Sequence, residues 1–462
     1  MHDTTMKNSH AGPTGTGTAV AAPREPQPGG SSRDGELLLL DAENAAHLRA
    51  RGKYLAELAG RIDPAEFGAL AATLPRTLAR RPVRAAVVAT SPEQAAERLA
   101  RLLAVADGGA RAVIDVTGGV FLGQGYGLPR IGYLFPGQGS IRGDDGGALA
   151  RRFETVRDLA RAVTLPACDD PAATVVAQPR IAISSVAGLR VLSWLGIEAE
   201  AAVGHSLGEL CALHWAGAMT ESELFALAAE RGRVMMEASE GGGAMAGIGA
   251  GPDQVEPLLS GEPVVIAGYN GPAQTVISGP AEAVERVRQA AVSAGLRAAR
   301  VRVSHAFHSP AVAPAAAKLD AYLAGRQFRP LVRRVLSTLT GEELAADTDL
   351  RQLLVQQVRE PVRFSQALTR MAAGADLLLE VGPGRILSGL AARIVPGTPV
   401  VPLSTDGPSL AGILSAAAAA YVLGMSVRHD RLVAGRSLAT LPMDDSWCGS
   451  ARLATEGPGG QR

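Results

Sequence analysis

Ala201-Ala202-Val203-Gly204-His205-Ser206-Leu207-Gly208-Glu209 is the stretch on which the fold of this chain turns. A short apolar run ends in glycine, a serine follows in the order G-x-S-x-G, and an apolar helix-like stretch runs from Glu209 to Ala218. Strand, tight turn and helix in that succession make a nucleophile elbow, in which a strained turn holds a serine hydroxyl clear of a sheet. The same turn leaves the N–H of Leu207 at a helix N-terminus, where it can stabilise an oxyanion.

Outward from the elbow, the pattern repeats. A strand at Ile131 to Phe135 runs into the tight turn Pro136-Gly137-Gln138-Gly139-Ser140, which offers the Gln138 N–H as a second oxyanion donor. Later come a strand (Leu377 to Val381), the turn Gly382-Pro383-Gly384, a helix (Arg385 to Ile394) and a strand (Val400 to Leu403). Alternating strands and helices predict an α/β fold with a mostly parallel sheet covered on both faces. Between these halves lies an insertion, 243–304, that reads β-α-β-β-α-β, the order of a ferredoxin-like unit. Its strands are Ala244 to Ile248, Val264 to Ala267, Thr275 to Ser278 and Ala298 to Val303. Its helices are Asp253 to Leu259 and Ala281 to Ala294. A separate α/β module is expected at 36–125, with helical periodicity from Ala42 to Ile62, strands at Val83 to Ala89 and Ala112 to Val116, and a capped helix start at Ser91-Pro92-Glu93-Gln94. Residues 1–35 and 449–462 are Gly-rich and polar and are expected to be disordered.

A second chemical signal is Arg231. Thr220-Glu221-Ser222-Glu223 reads as a capping box that starts a helix. On that helix Leu224, Leu227, Ala228 and Met235 form an apolar stripe, and Arg231 falls on it. An inward guanidinium needs an anionic partner, either a protein acid in an internal salt bridge or a substrate carboxylate, unless the side chain snorkels out at the helix's solvent end. A serine nucleophile also needs a base. His205 adjoins the serine but points away in a tight turn, whereas His305 and His308 lie where the insertion hands back to the core, a place that favours sites.

Composition narrows the classes. The chain has 462 residues, 47% apolar and 19% charged, with 45 Lys+Arg against 45 Asp+Glu. That balance gives no reason to expect nucleic acid or an anionic membrane as a partner. The three cysteines (Cys168, Cys211 and Cys448) are widely spaced without metal-ligand spacing, which fits a reducing compartment. No membrane span or signal core is read, so the expectation is a soluble, cytoplasmic protein without a metal.

Phe135-Pro136-Gly137-Gln138-Gly139-Ser140, Gly204 to Glu209, Arg231, His305-Ala306-Phe307-His308 and Glu380-Val381-Gly382-Pro383-Gly384 occur in the order typical of malonyl-type acyltransferases. From about Ile131 to Leu403 the chain resembles the acyltransferase domain of a type I polyketide synthase, within the malonyl-CoA:ACP transacylase family. The resemblance implies an α/β-hydrolase-like core at 126–403, with 36–125 similar to a ketosynthase-to-acyltransferase linker and 404–448 to a post-acyltransferase linker. It implies that Ser206 is acylated, His308 is its base, Gln138 and Leu207 N–H groups form the oxyanion hole, and Arg231 clamps the malonyl carboxylate. A backbone carbonyl at Gln357 would orient the histidine. Malonyl-CoA would be the donor, the phosphopantetheine of an acyl carrier protein the acceptor, and the adjacent ketosynthase a partner through the linkers; no bound cofactor is needed.

His305-Ala306-Phe307-His308 and Leu207 resemble malonyl rather than methylmalonyl users, with His305 and Phe307 bounding the acyl pocket. The segment Ile141-Arg142-Gly143-Asp144-Asp145-Gly146-Gly147 departs from the family's usual aromatic and Met-Gly pair. The divergent flanks favour an iterative, enediyne-type synthase of antibiotic biosynthesis. Two other readings stay open at this level: an α/β-hydrolase esterase or thioesterase, and a non-catalytic carrier-docking domain.

Overall fold

Glu36–Ala42 (β1), Val83–Ala89 (β2), Ala112–Asp115 (β3) and Val120–Gln124 (β4) pair antiparallel in the order β1-β2-β4-β3 in the computed structural model. The structure describes residues 34–443 apart from 125–126, 141–146, 167, 169, 171–172, 239–241, 302 and 304, and also residue 447. The expected tails (save residues 34–35), Cys448 and the 141–146 segment therefore lie outside the described residues. In β1, Leu38 and Leu40 join one apolar core while Leu37 and Leu39 join another. Burial on both faces erases the period-two signal, so β1 and β4, absent from the expected elements, carry no strand alternation in the sequence. The helix itself starts later, at Ala45–Ala59, with Asn44 accepting from the His47 N–H. The start read at Ser91 is present, Ser91 accepting from the Gln94 N–H.

The next strands, Ile131–Phe135 (β5) and Ala201–Gly204 (β6), belong to a second sheet. Before it resumes, Gly243–Ile248 (β7), Val265–Gly271 (β8), Gln274–Pro280 (β9) and Ala298–Arg300 (β10) form an antiparallel sheet of their own. Its order is β10-β7-β9-β8, that is fourth, first, third and second of the four. Arg334–Leu336 (β11), Leu377–Glu380 (β12) and Val400–Pro402 (β13) complete the second sheet in the order β11-β6-β5-β12-β13, every pair parallel. The loops after β5 and β6 thus leave neighbouring strands at the same edge, where open parallel sheets place their sites.

The helix Thr174–Leu195 is long and apolar enough, by length and composition, to cross a membrane, contrary to the sequence expectation that no stretch is. Its apolarity has another use here. It packs along the helix Glu221–Glu237, with Ile181, Val186, Val191 and Leu195 buried, and Arg190 bonds Glu221 across the pair. After β13 the chain returns to the first sheet. The Tyr421 hydroxyl donates to the Leu40 carbonyl at 3.0 Å, Arg436 Nη1 meets Glu36 Oε2 at 2.8 Å, and Trp447 packs on Tyr54 under the Arg51 guanidinium. The inserted sheet is tied to the segment before the helix Phe364–Ala372 by Tyr269 N–H to Val362 O (2.8 Å) and Val362 N–H to Ala267 O (2.9 Å).

Candidate active site

Ser206 has φ 52°, a left-handed backbone that a non-glycine residue adopts only when its surroundings enforce it. The enforcement is steric. A β-carbon at Gly208 would lie 2.0 Å from the Phe135 carbonyl oxygen, and one at Gly137 would lie 2.6 Å from the His205 carbonyl oxygen. Only glycine lets the two loops touch, and the His205 N–H donates to Phe135 O at 2.9 Å across the contact. Leu207, buried, caps the helix Gly208–Trp215, and its neighbours Gly208 and Glu209 direct their N–H groups back to the turn carbonyls. Gln138 is held beside the elbow by its side chain, Nε2 donating to Thr174 Oγ1 at 3.1 Å.

His308 also has a left-handed backbone, φ 57°, and it places Nε2 at 2.8 Å from Ser206 Oγ. Its Nδ1 lies 3.0 Å from two backbone carbonyls, Gln357 O and Glu360 O. Carbonyl oxygens only accept, so the ring proton resides on Nδ1 and the Nε2 lone pair faces the serine. That tautomer accepts a proton from Ser206. Burial, reinforced by the positive Arg231 and by His205, pulls the imidazolium down to about 3. A histidine with its pKa depressed keeps its basic form as pH falls, until pH nears that value. Any reaction of Ser206 that uses His308 as its base is therefore expected to lack a limb near pH 6.5 and to stay level over roughly pH 5–8, a range in which an ordinary histidine titrates. A stopped-flow pH profile in which the rate halves near 6.5 would contradict this environment for His308.

Arg231 is 1% exposed, on the helix Glu221–Glu237 that Thr220 and Glu223 cap reciprocally. Leu224, Leu227 and Met235 bury the same face. Two neutral amides hold the guanidinium: Nη1 donates to Gln178 Oε1 (3.0 Å) and Nη2 to Gln357 Oε1 (3.2 Å). Nη2 also reaches Ser206 Oγ at 3.4 Å, and Nε has no hydrogen-bond partner among the described residues. Burial lowers its pKa to about 10, still far above neutrality, and Glu209 opposes the fall. A buried cation with a spare N–H beside a serine hydroxyl has the chemistry to receive an anion.

The structure thus brings Ser206, His308, Arg231 and Gln357 together, with Leu207 and Gln138 on the two loops that meet at the serine. His205 is directed away, Nε2 bonding Asn270 Oδ1 of the inserted sheet at 2.8 Å. His305 stacks edge-on against Phe307 with ring centres 5.3 Å apart, and Phe307 is buried. Sequence reading missed Gln178, Glu209, Asn270 and the Glu360 carbonyl. Gln178 and Glu209 did carry a signal, a polar side chain amid an apolar helix. Glu360 carried none, because a backbone carbonyl leaves no mark in residue type.

Comparisons with known proteins bear on the family of the chain. The sequence profile of the family described as "Acyl transferase domain" matches residues 147–388. The polyketide synthase GfsB of Streptomyces halstedii is 34% identical over 376 residues, which are 75% of this chain and 7% of that protein. The chain spans from 7% to 25% of the length of three such synthases. Among solved structures, the acyltransferase domain of the iterative polyketide synthase in enediyne biosynthesis is 36% identical, with a TM-score of 0.76 over 87% of this chain and 100% of that one. A malonyl-transacylase solved with its type II polyketide acyl-carrier protein is 32% identical, with a TM-score of 0.56 over 62% of this chain and 98% of that one.

Proposed function

The chain belongs to the acyl transferase domain family, and on that premise we propose that it is a malonyl-CoA:acyl-carrier-protein transacylase of polyketide biosynthesis. The carrying observation is that one hydroxyl, Ser206 Oγ, lies 2.8 Å from a neutral imidazole and 3.4 Å from a buried guanidinium. His308 Nε2 takes the Ser206 proton as Oγ bonds the malonyl thioester carbon. The Gln138 and Leu207 N–H groups hold the tetrahedral oxyanion, and Arg231 holds the distal carboxylate. The C–S bond then breaks, and the CoA thiolate leaves with the proton from His308. The phosphopantetheine thiol of an acyl carrier protein attacks the malonyl-Ser206 ester through the same steps, with His308 taking and returning one proton. Nothing in this sequence of steps calls on a bound cofactor.

The same reading extends to organisation. Residues 126–403 form the acyltransferase with an α/β-hydrolase-like core, and 243–304 its ferredoxin-like insertion; the fourth-first-third-second strand order supports the latter. Residues 36–125 and 404–448 are the flanking linkers through which a ketosynthase would be met, in the cytoplasm. An esterase reading would place a carboxylate on His308 Nδ1, where the Gln357 and Glu360 carbonyls stand instead. Donor choice is assigned to Phe307, buried and next in sequence to His308, whose ring would take space that an α-methyl group needs. In a mixed-donor experiment malonyl-CoA is expected to exceed methylmalonyl-CoA in acylating the protein by roughly 10- to 200-fold, the value of one methylene. Equal incorporation would remove Phe307 as a selector, and release to water in preference to a carrier thiol would favour the esterase.

A further inference from the structure

Glu209 is a carboxylate with no exposed surface, and the transacylation steps do not use it. Ser337 Oγ bonds its Oε1, Gln357 Nε2 donates to its Oε2 at 2.8 Å, and Thr338 Oγ1 lies 3.0 Å from the same oxygen. The Thr338 hydroxyl is also 2.9 Å from the Gly204 carbonyl, so its single proton serves one acceptor at a time. Gln357 links this acid to the site. Its Nε2 donates to Glu209 and to the Ser206 carbonyl (2.9 Å), which turns its Oε1 toward Arg231 Nη2 at 3.2 Å. Both neighbours of Nε2 are acceptors, so the amide has one orientation.

We propose that Glu209 is the resident counter-charge of Arg231, held one amide away by Gln357 so that the guanidinium stays ionised and aimed while its spare N–H groups remain open to an incoming carboxylate. Direct contact would make a closed internal salt bridge that a substrate would have to break. A buried arginine with no acid at all would be an uncompensated charge, which is strongly destabilising. Separation by one amide avoids both. Burial raises the Glu209 carboxyl above its ordinary value while the hydrogen bonds from Ser337, Gln357 and Thr338 oppose the rise, and Glu209 in turn raises Arg231. Glu209 is a positioning residue in this scheme, acting through Gln357.

The proposal rests on Arg231 being the carboxylate receptor, and two arms keep it separable from that reading. The first needs no substrate. Glu209→Gln keeps the shape and an acceptor for Gln357 but removes the charge, and Arg231→Met removes the other charge. Each single variant is expected to lower Tm, and the double variant to recover most of the loss, because a matched pair of neutral groups replaces a matched pair of charges. Losses that simply add would overturn the counter-charge role. If Arg231→Met does not fold, the double variant is compared with Glu209→Gln alone, and a double variant no more stable than that single would equally overturn it.

The second arm follows Tm before and after acylation of Ser206. Malonylation is expected to raise the Tm of Glu209→Gln by roughly 2–4 °C more than that of the unmodified protein, since the malonyl carboxylate replaces the missing charge. Acetylation should give no such difference. Equal gains from malonylation in both proteins would contradict the proposal. A protein that takes no malonyl group on Ser206 would refute the transacylase reading instead, and the charge cycle would still decide the Glu209–Arg231 pairing.

Discussion

Arg231→Ala is expected to lower malonyl transfer by about 2–5 kcal/mol in transition-state terms, the range found when one member of a buried charged pair is truncated. Acetyl-CoA, which carries no carboxylate, should lose far less. The asymmetry follows from where the guanidinium sits. It is 1% exposed, fixed at both Nη atoms by neutral Gln178 and Gln357, and within 3.4 Å of the Ser206 hydroxyl. Its Nε, without a hydrogen-bond partner among the described residues, is left for a carboxylate that the substrate would bring. Arg231→Lys should fall between, because an ammonium supplies charge without the planar fork. The check is a comparison of kcat/KM for both donors, scaled to folded protein. If malonyl and acetyl transfer fall equally, the arginine is structural.

His308→Ala should slow acylation of Ser206 and transfer to the carrier by a similar factor, about 10²–10⁴, since the proposed mechanism uses one imidazole in both half-reactions. His305→Ala, by contrast, should mainly alter donor choice, because His305 packs on Phe307 while His308 bonds Ser206 Oγ. Single-turnover measurement of each half-reaction separates the two. A larger loss of malonyl acylation in His305→Ala than in His308→Ala would reverse their roles.

How much of this was legible beforehand depended on whether a feature leaves a residue-type signature. The elbow was legible because its glycines are demanded by contact, Gly208 against Phe135 and Gly137 against His205. Arg231 was legible because the 3.6-residue period places position 231 on the face of Leu224 and Leu227. β1 was not, since Leu37 to Leu40 are buried on alternate sides and read as one apolar run. Gln178 carried a weaker mark, a single buried polar side chain within the apolar helix Thr174–Leu195. The Glu209–Gln357–Arg231 chain lay beyond reach altogether, since it joins residues far apart in sequence through contacts that only the packed elements create.

The central claim is that Ser206 carries the acyl group. Intact-mass analysis after incubation with malonyl-CoA, followed by peptide mapping, tests it most directly. One malonyl group should appear on the peptide containing Ser206, disappear in Ser206→Ala, and leave on addition of a carrier's phosphopantetheine thiol. Cys211 lies nearby but is buried, its thiol pushed up to about 12, so it should stay unmodified. An adduct that persists in Ser206→Ala, or that maps to Cys211, would contradict the account.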